Sequence, residues 1–222
     1  MKQNHGSFRC NVSPPRLAVK LLKPGDISVT TKLWNDAELP IDILLLTVEN
    51  CEFLSCLLYL DNHFKSYCKD IGFVYFGSMG GDDQEKLKIA LIKYHKGSEV
   101  PGGSLTAVKN AVRVLRPKAV FSVGSCIGLK CEKTKLGDVV VSSKLTTSVF
   151  KTPVSKQIGN IITNVDDGWK APLEDPDALD VRVHCGDVLS QPQVSKLGWR
   201  HEDIIQHYPE AIAVETEGEG KE

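Results

Sequence analysis

Apolar positions along this chain fall into short, nearly unbroken runs divided by turn-forming residues, with one longer stretch at helical spacing. Ile41-Asp42-Ile43-Leu44-Leu45-Leu46-Thr47 is almost continuous, as expected for a strand covered on both faces in a parallel sheet. Glu49 and Asn50 follow at once and open a predicted helix over 49–60, with acid in its first turn where the helix dipole favours it. Residues 71–77 predict a second strand, and Met79-Gly80-Gly81-Asp82-Asp83 a turn and surface loop. A strand over 88–94 runs into a glycine-rich loop at 97–104. Leu105, Val108, Ala111, Val112 and Leu115 then recur at i, i+3, i+4 spacing, while Lys109, Arg113 and Arg116 take the opposite face. That pattern predicts an amphipathic helix capped by Ser104 and stopped by Pro117.

Further strands are predicted at 118–124, at 136–142 after a Gly137-Asp138 turn, at 181–189 and at 211–214. A helix over 193–207 is weakened by Gly198. Residues 150–180, with Pro153, Pro172 and Pro176, read as a long loop with local order. Strand, helix and strand between 88 and 124 make a right-handed βαβ crossover the expected geometry. The predicted fold class is α/β, a three-layer sandwich around a mixed, mainly parallel twisted sheet. The folded domain is expected over 40–222. Residues 1–39 read as a poorly ordered basic extension: the first 25 carry Lys2, Arg9, Arg16, Lys20 and Lys23 and no acid. Pro14-Pro15 and Pro24-Gly25 interrupt any presequence-like helix there.

Composition narrows the function classes. At 222 residues and 41% hydrophobic content, the chain can bury one substantial core. A formal net charge of -1, without interleaved aromatic and basic residues, gives no case for nucleic acid. No apolar run approaches the roughly 20 residues needed to cross a bilayer. Seven cysteines, an odd number at irregular spacing, predict a reduced, cytoplasmic protein. Neither CxxC nor HxxxH spacing occurs, so no metal is expected. The 97–104 loop lacks the GxGxxG spacing directly after a strand that a dinucleotide cradle requires, and no organic cofactor is implied.

Candidate chemistry gathers at Ala213-Val214-Glu215-Thr216-Glu217-Gly218, where an apolar strand delivers two carboxylates one position apart. Active sites of open α/β sheets lie at the carboxyl ends of strands. Paired carboxylates there can grip sugar hydroxyls or steer an oxocarbenium-like transition state. Plainer roles stand beside this one. Glu215 and Glu217 also fit the solvated end of a strand, Glu49 a dipole-compatible helix start, and Ser125 a turn. Asp138 and Asp187 read as turn and scaffold residues, and His184 and His207 as surface or core groups.

Three blocks in order carry a family resemblance over roughly 41–220. They are Pro117-Lys118-Ala119-Val120-Phe121-Ser122-Val123-Gly124-Ser125-Cys126-Ile127-Gly128-Leu129 followed by Lys135-Leu136-Gly137-Asp138-Val139-Val140-Val141-Ser142; then Gly186-Asp187-Val188-Leu189; then Tyr208-Pro209-Glu210-Ala211-Ile212-Ala213-Val214-Glu215-Thr216-Glu217-Gly218. Together they resemble the purine nucleoside phosphorylase and methylthioadenosine/S-adenosylhomocysteine nucleosidase superfamily. The 97–104 loop looks like that of animal members in which the domain accompanies signalling modules. The resemblance implies cleavage of a nucleoside's N-glycosidic bond, with phosphate or water as the attacking group. It implies that Glu217 accepts hydrogen bonds from the ribose 2′ and 3′ hydroxyls, with Glu215 and Thr216 beside it. Glu49 is implied to position the attacking water, and Ser125, between Gly124 and Cys126, to line the nucleophile pocket. Leu189 falls where an apolar group packs against the base.

Four departures qualify the resemblance. Ser122 stands where phosphorylases place a phosphate-holding Arg, Thr216 replaces the usual Met, and Ile127 occupies a position often held by Gly. The Asp that protonates the leaving purine lies, in the family, beyond a further helix and strand; with Glu222 the last residue, those elements are expected to be missing and a sheet edge exposed. Two functions are therefore expected: a purine nucleosidase or phosphorylase, associating into homo-oligomers when complete, or a catalytically silent nucleoside-binding module, regulatory or a truncated isoform.

Overall fold

The computed structural model describes residues 16–27, 30–81, 86–95, 104–130, 132–147, 150–190 and 201–215. Among them the strands form two sheets rather than one. The first contains β1 (Thr30–Thr31), β2 (Ile43–Thr47), β3 (Asp61–Cys68), β4 (Gly72–Met79), β5 (Leu87–Lys93) and β6 (Ala119–Ser122), in the order β1-β3-β4-β5-β2-β6. Strands β5, β2 and β6 run parallel, whereas β3, β4 and β5 are joined antiparallel.

The apolar run at 41–47 explains the layering. Leu44 and Leu46, with Ala90 and Ile92, face Ala111 and Leu115 of α2 (Ser104–Leu115). Ile43 and Leu45, with Ile89 and Leu91, meet Phe53, Leu54, Cys56 and Leu57 of α1 (Asn50–Leu58) on the opposite face. Helix, sheet and helix make the expected three layers. Each Leu or Ile buried this way contributes about 1.5–3 kcal/mol relative to an exposed one.

The second sheet holds β7 (Ile127–Gly128), β8 (Val139–Thr146), β9 (Lys151–Pro153), β10 (Val183–Ser190) and β11 (Ala211–Glu215), in the order β7-β11-β10-β8-β9. Its three central strands are parallel, and both flanking strands antiparallel. Ile204 of α4 (His201–His207) packs on Leu129, Leu189, Ala211 and Val214. The remaining helix, α3 (Lys156–Ile162), lies within the stretch read as a long loop. Because β6 leads within five residues into β7, the chain passes from one sheet to the other through 123–126.

Upstream of Pro40, β1 pairs with β3, Trp34 meets Phe76 edge-on at 5.6 Å, and the Ala18 amide donates to Pro172 O at 2.9 Å. Residues 1–15, the 97–103 loop, 193–200 and 216–222 lie outside the described residues.

Candidate functional site

Strands β2 and β6 leave the first sheet at the same edge. Val123 N donates to Leu46 O at 2.8 Å, and β2 then runs into Val48-Glu49 while β6 runs into Gly124-Ser125-Cys126. Gly124, Ser125 and Cys126 are all exposed. Glu49 is exposed too and precedes the first turn of α1. A buried carboxylate, that of Glu52, is fixed inside that turn. Its Oε2 accepts from Glu49 N at 2.8 Å and from Val48 N at 3.1 Å, satisfying amides that the helix start leaves open. Lys93 at the end of β5 donates to Asn50 Oδ1, tying the neighbouring strand to the same turn.

In the second sheet Glu215 is the last residue of β11. Its register partner is Ser190, the last residue of β10, whose hydroxyl donates to Glu215 Oε1. On the other side of β11, Ile127 of β7 lies opposite Val214, which carries Cys126 to the level of Glu215. Burial pushes the Cys126 thiol above its ordinary range, and the Glu215 charge pushes it further. Cys126, Glu215 and Ser190 thus share one environment, with Gly124 and Ser125 adjacent in the chain. Leu189 is placed elsewhere: it is fully buried in the cluster under α4, with Ile204 and Val214. Thr216 and Glu217 lie outside the described residues.

Two functional candidates escaped the sequence reading. Glu52 had a signal, an acid at the third helical position after Glu49, the spacing of a capping box. Ser190 had none, because its meeting with Glu215 depends on the register of β10 against β11.

Other polar groups serve the scaffold. Asp138 accepts from Lys135 N, Arg182 N and His184 Nε2, at 2.7, 2.9 and 2.8 Å. Burial alone would raise its carboxyl, but these hydrogen bonds outweigh burial and hold it below the usual range. Asp187, also buried, accepts from Thr146 Oγ1 at 2.8 Å and pairs with Lys144 at 3.1 Å. A cavity of about 580 Å³ opens beside α1, bordered by Asn50, Phe53, Tyr75, Lys93 and Tyr94. Among the described residues no group of His, Cys, Asp and Glu could hold a metal, and no helix is long and apolar enough to cross a membrane.

No family model matches the chain. It is 24% identical over 177 residues to a Death domain-containing ATP nucleosidase of Amphimedon queenslandica. That match takes in 66% of this chain, which spans about a third (32%) of the relative's length. Among solved structures, the 5′-methylthioadenosine/S-adenosylhomocysteine nucleosidase of S. pneumoniae, with a transition-state inhibitor, superposes with a TM-score of 0.58 at 17% identity, covering 80% of this chain and 76% of the other. The Neisseria meningitidis nucleosidase, in complex with methylthio-immucillin-A, gives 0.57 at 16%, covering 78% and 74%. A futalosine hydrolase mutant of Helicobacter pylori gives 0.55 at 15%, covering 80% and 81%. The chain has the α/β fold of these nucleosidases, and at such identities the likeness speaks for the fold alone.

Proposed function

We propose that this chain cleaves the N-glycosidic bond of a purine nucleoside or thionucleoside with water as the attacking group. The carrying observation is the grouping of Cys126, Glu215 and Ser190 at the strand ends of the second sheet, reached through Gly124-Ser125 from β6, beside which β2 runs into the acid-bearing first turn of α1. A sugar held by carboxylates there better tolerates the positive charge that develops at C1′. In this reading Glu217 accepts the ribose hydroxyls, Glu215 and Thr216 flank it, and Ser125 lines the nucleophile pocket. Water is favoured over phosphate because the exposed end of β6 carries Ser122, a position that offers phosphate no charge. The names of the solved neighbours and of the sequence relative support nucleoside cleavage, and the latter adds purine nucleotides to the substrates worth testing.

Two carboxylates compete to position the water. Glu49 is the one the resemblance implies, and it is exposed; Glu52, buried and fixed by two amides, is the second acid of the same helix start. The test is release of free purine from adenosine, methylthioadenosine and ATP, with and without phosphate, by the wild type, E49Q and E52Q. Phosphate-independent release is expected, with kcat falling about 10²-fold or more in whichever variant removes the base. No release from any substrate, or release only with phosphate, overturns the proposal. A second reading, a silent nucleoside-binding module, draws on Ile127, which is 59% exposed beside Cys126 and stands where the resemblance often has Gly. Measurable nucleoside binding without base release selects it.

A further inference from the structure

We propose that Ser190 is a positioning residue of the candidate site: its hydroxyl fixes the Glu215 carboxylate so that this group receives a sugar hydroxyl of the bound nucleoside. This rests on the proposed nucleoside reading, deepens it by having Glu215 share the ribose hydroxyls with Glu217 rather than only flank it, and adds a residue that touches no reacting atom. Ser190 and Glu215 are the last residues of adjacent parallel strands and stand in register, so the hydrogen bond joins two backbones already held in place. A short Ser side chain loses little rotational freedom in making it, whereas a Glu at a strand end has three torsions to fix. Once held, the carboxylate sits beside Cys126, next in the chain to the exposed Ser125. A carboxylate accepts several hydrogen bonds at once, so the Ser190 bond and one from a ligand hydroxyl are compatible. The same strand pairing leaves Leu189 in the core and presents the next residue, Ser190, to Glu215. A polar residue at a strand end beside a buried apolar one is what such a division of labour requires.

A purely structural role, tying the ends of β10 and β11 together, predicts a different result, and the experiment separates the two. kcat/KM and calorimetric Kd are measured for adenosine, 2′-deoxyadenosine and 3′-deoxyadenosine with the wild type, S190A, S190T and E215Q. If Ser190 positions Glu215 on a sugar hydroxyl, S190A loses about tenfold on adenosine and less than about twofold on the deoxynucleoside lacking that hydroxyl. S190T restores the loss, E215Q reproduces the selectivity, and S190A/E215Q loses no more than E215Q alone. If S190A does not fold, S190C keeps the volume, weakens the donor and takes its place. Equal losses on all three nucleosides, or no loss on any, overturn the inference while leaving the proposed function standing. If the wild type neither binds nor cleaves any of them, the proposed function fails first and Ser190's role falls with it.

Discussion

Water reaches Cys126, yet its sulfur lies among atoms that desolvate it and next to the Glu215 carboxylate. Both effects disfavour the thiolate, burial first and the neighbouring charge second. Since the thiolate is the nucleophile, exposure here does not translate into reactivity. Iodoacetamide should therefore label Cys126 slowly at neutral pH, its rate rising only in the alkaline range. E215Q removes the negative charge and should move that pH profile downward, speeding labelling at pH 7, as peptide mass spectrometry after timed quenching would show. Identical profiles in the two proteins would mean that Cys126 and Glu215 do not share an environment. Cys56 provides the internal contrast: burial, with Glu52 adding, pushes its thiol up to about 11, and it should stay unlabelled while the protein is folded.

Between neighbouring strands the tightest constraint sits at Gly186 of β10. A Cβ added there would stand 2.4 Å from Ile212 Cδ1 and 2.8 Å from Ile212 Cγ1, on the strand that carries Glu215. The β10–β11 register shifts just beyond it, between Asp187 and Val188. G186A should cost about 1–3 kcal/mol by overpacking, read as a lower urea midpoint, and I212V, which removes Cδ1, should return part of it. A midpoint unchanged in G186A would show that Ile212 turns aside freely. Strands β2 and β5 and helices α1 and α2 were legible because their apolar positions are the buried ones, on both faces of a strand or one face of a helix. Strand β3, Asp61-Asn62-His63-Phe64-Lys65-Ser66-Tyr67-Cys68, was missed because most of its residues are polar and its length is held by pairing with β4. The division into two sheets was invisible for the same reason: a strand's own pattern does not name its neighbour. At the candidate site, sequence order alone brought Gly124, Ser125 and Cys126 to one turn and Glu215 to a strand end. The Ser190–Glu215 meeting needed a register, and the burial of Leu189 needed α4 above it.

Across the whole molecule, ion pairs and hydrogen bonds to carboxylates join segments that are for the most part distant in sequence. Lys88 of β5 pairs with Glu38, and Asp42 takes the Lys118 ammonium at 2.7 Å and the Lys88 amide at 2.8 Å. In the second sheet Asp138 binds the 182–184 segment, Asp180 takes Lys135 and Arg182, and Glu210 takes Lys144. The carboxyls of Glu38, Asp42, Asp138, Asp180 and Glu210 are all held below their ordinary range, each by these partners. A carboxyl whose folded pKa lies below its unfolded value of about 4 takes up its proton first in the unfolded chain as pH falls. The stability it contributes is complete above the unfolded value and is lost as pH drops through the folded one. The urea midpoint should therefore stay level from neutral pH to about 5 and fall below about 4. Three of the five groups are well exposed and add little. Asp138 and Asp42, with side chains 4% and 18% exposed, should carry most of the effect. D138N and D42N should each lower the midpoint at pH 7, by about 1 kcal/mol or more for the former, and each offset should shrink as the wild-type carboxyl is protonated. Because one variant weakens the second sheet and the other the first, the pair also reports how the sheets unfold. If chain passage through 123–126 couples them into one cooperative unit, both variants shift a single transition followed by circular dichroism and by tryptophan fluorescence alike. Two transitions, one moved only by D42N and the other only by D138N, would show the sheets to be separate folding units. An offset for D138N that persists undiminished at pH 3 would assign its effect to packing rather than charge.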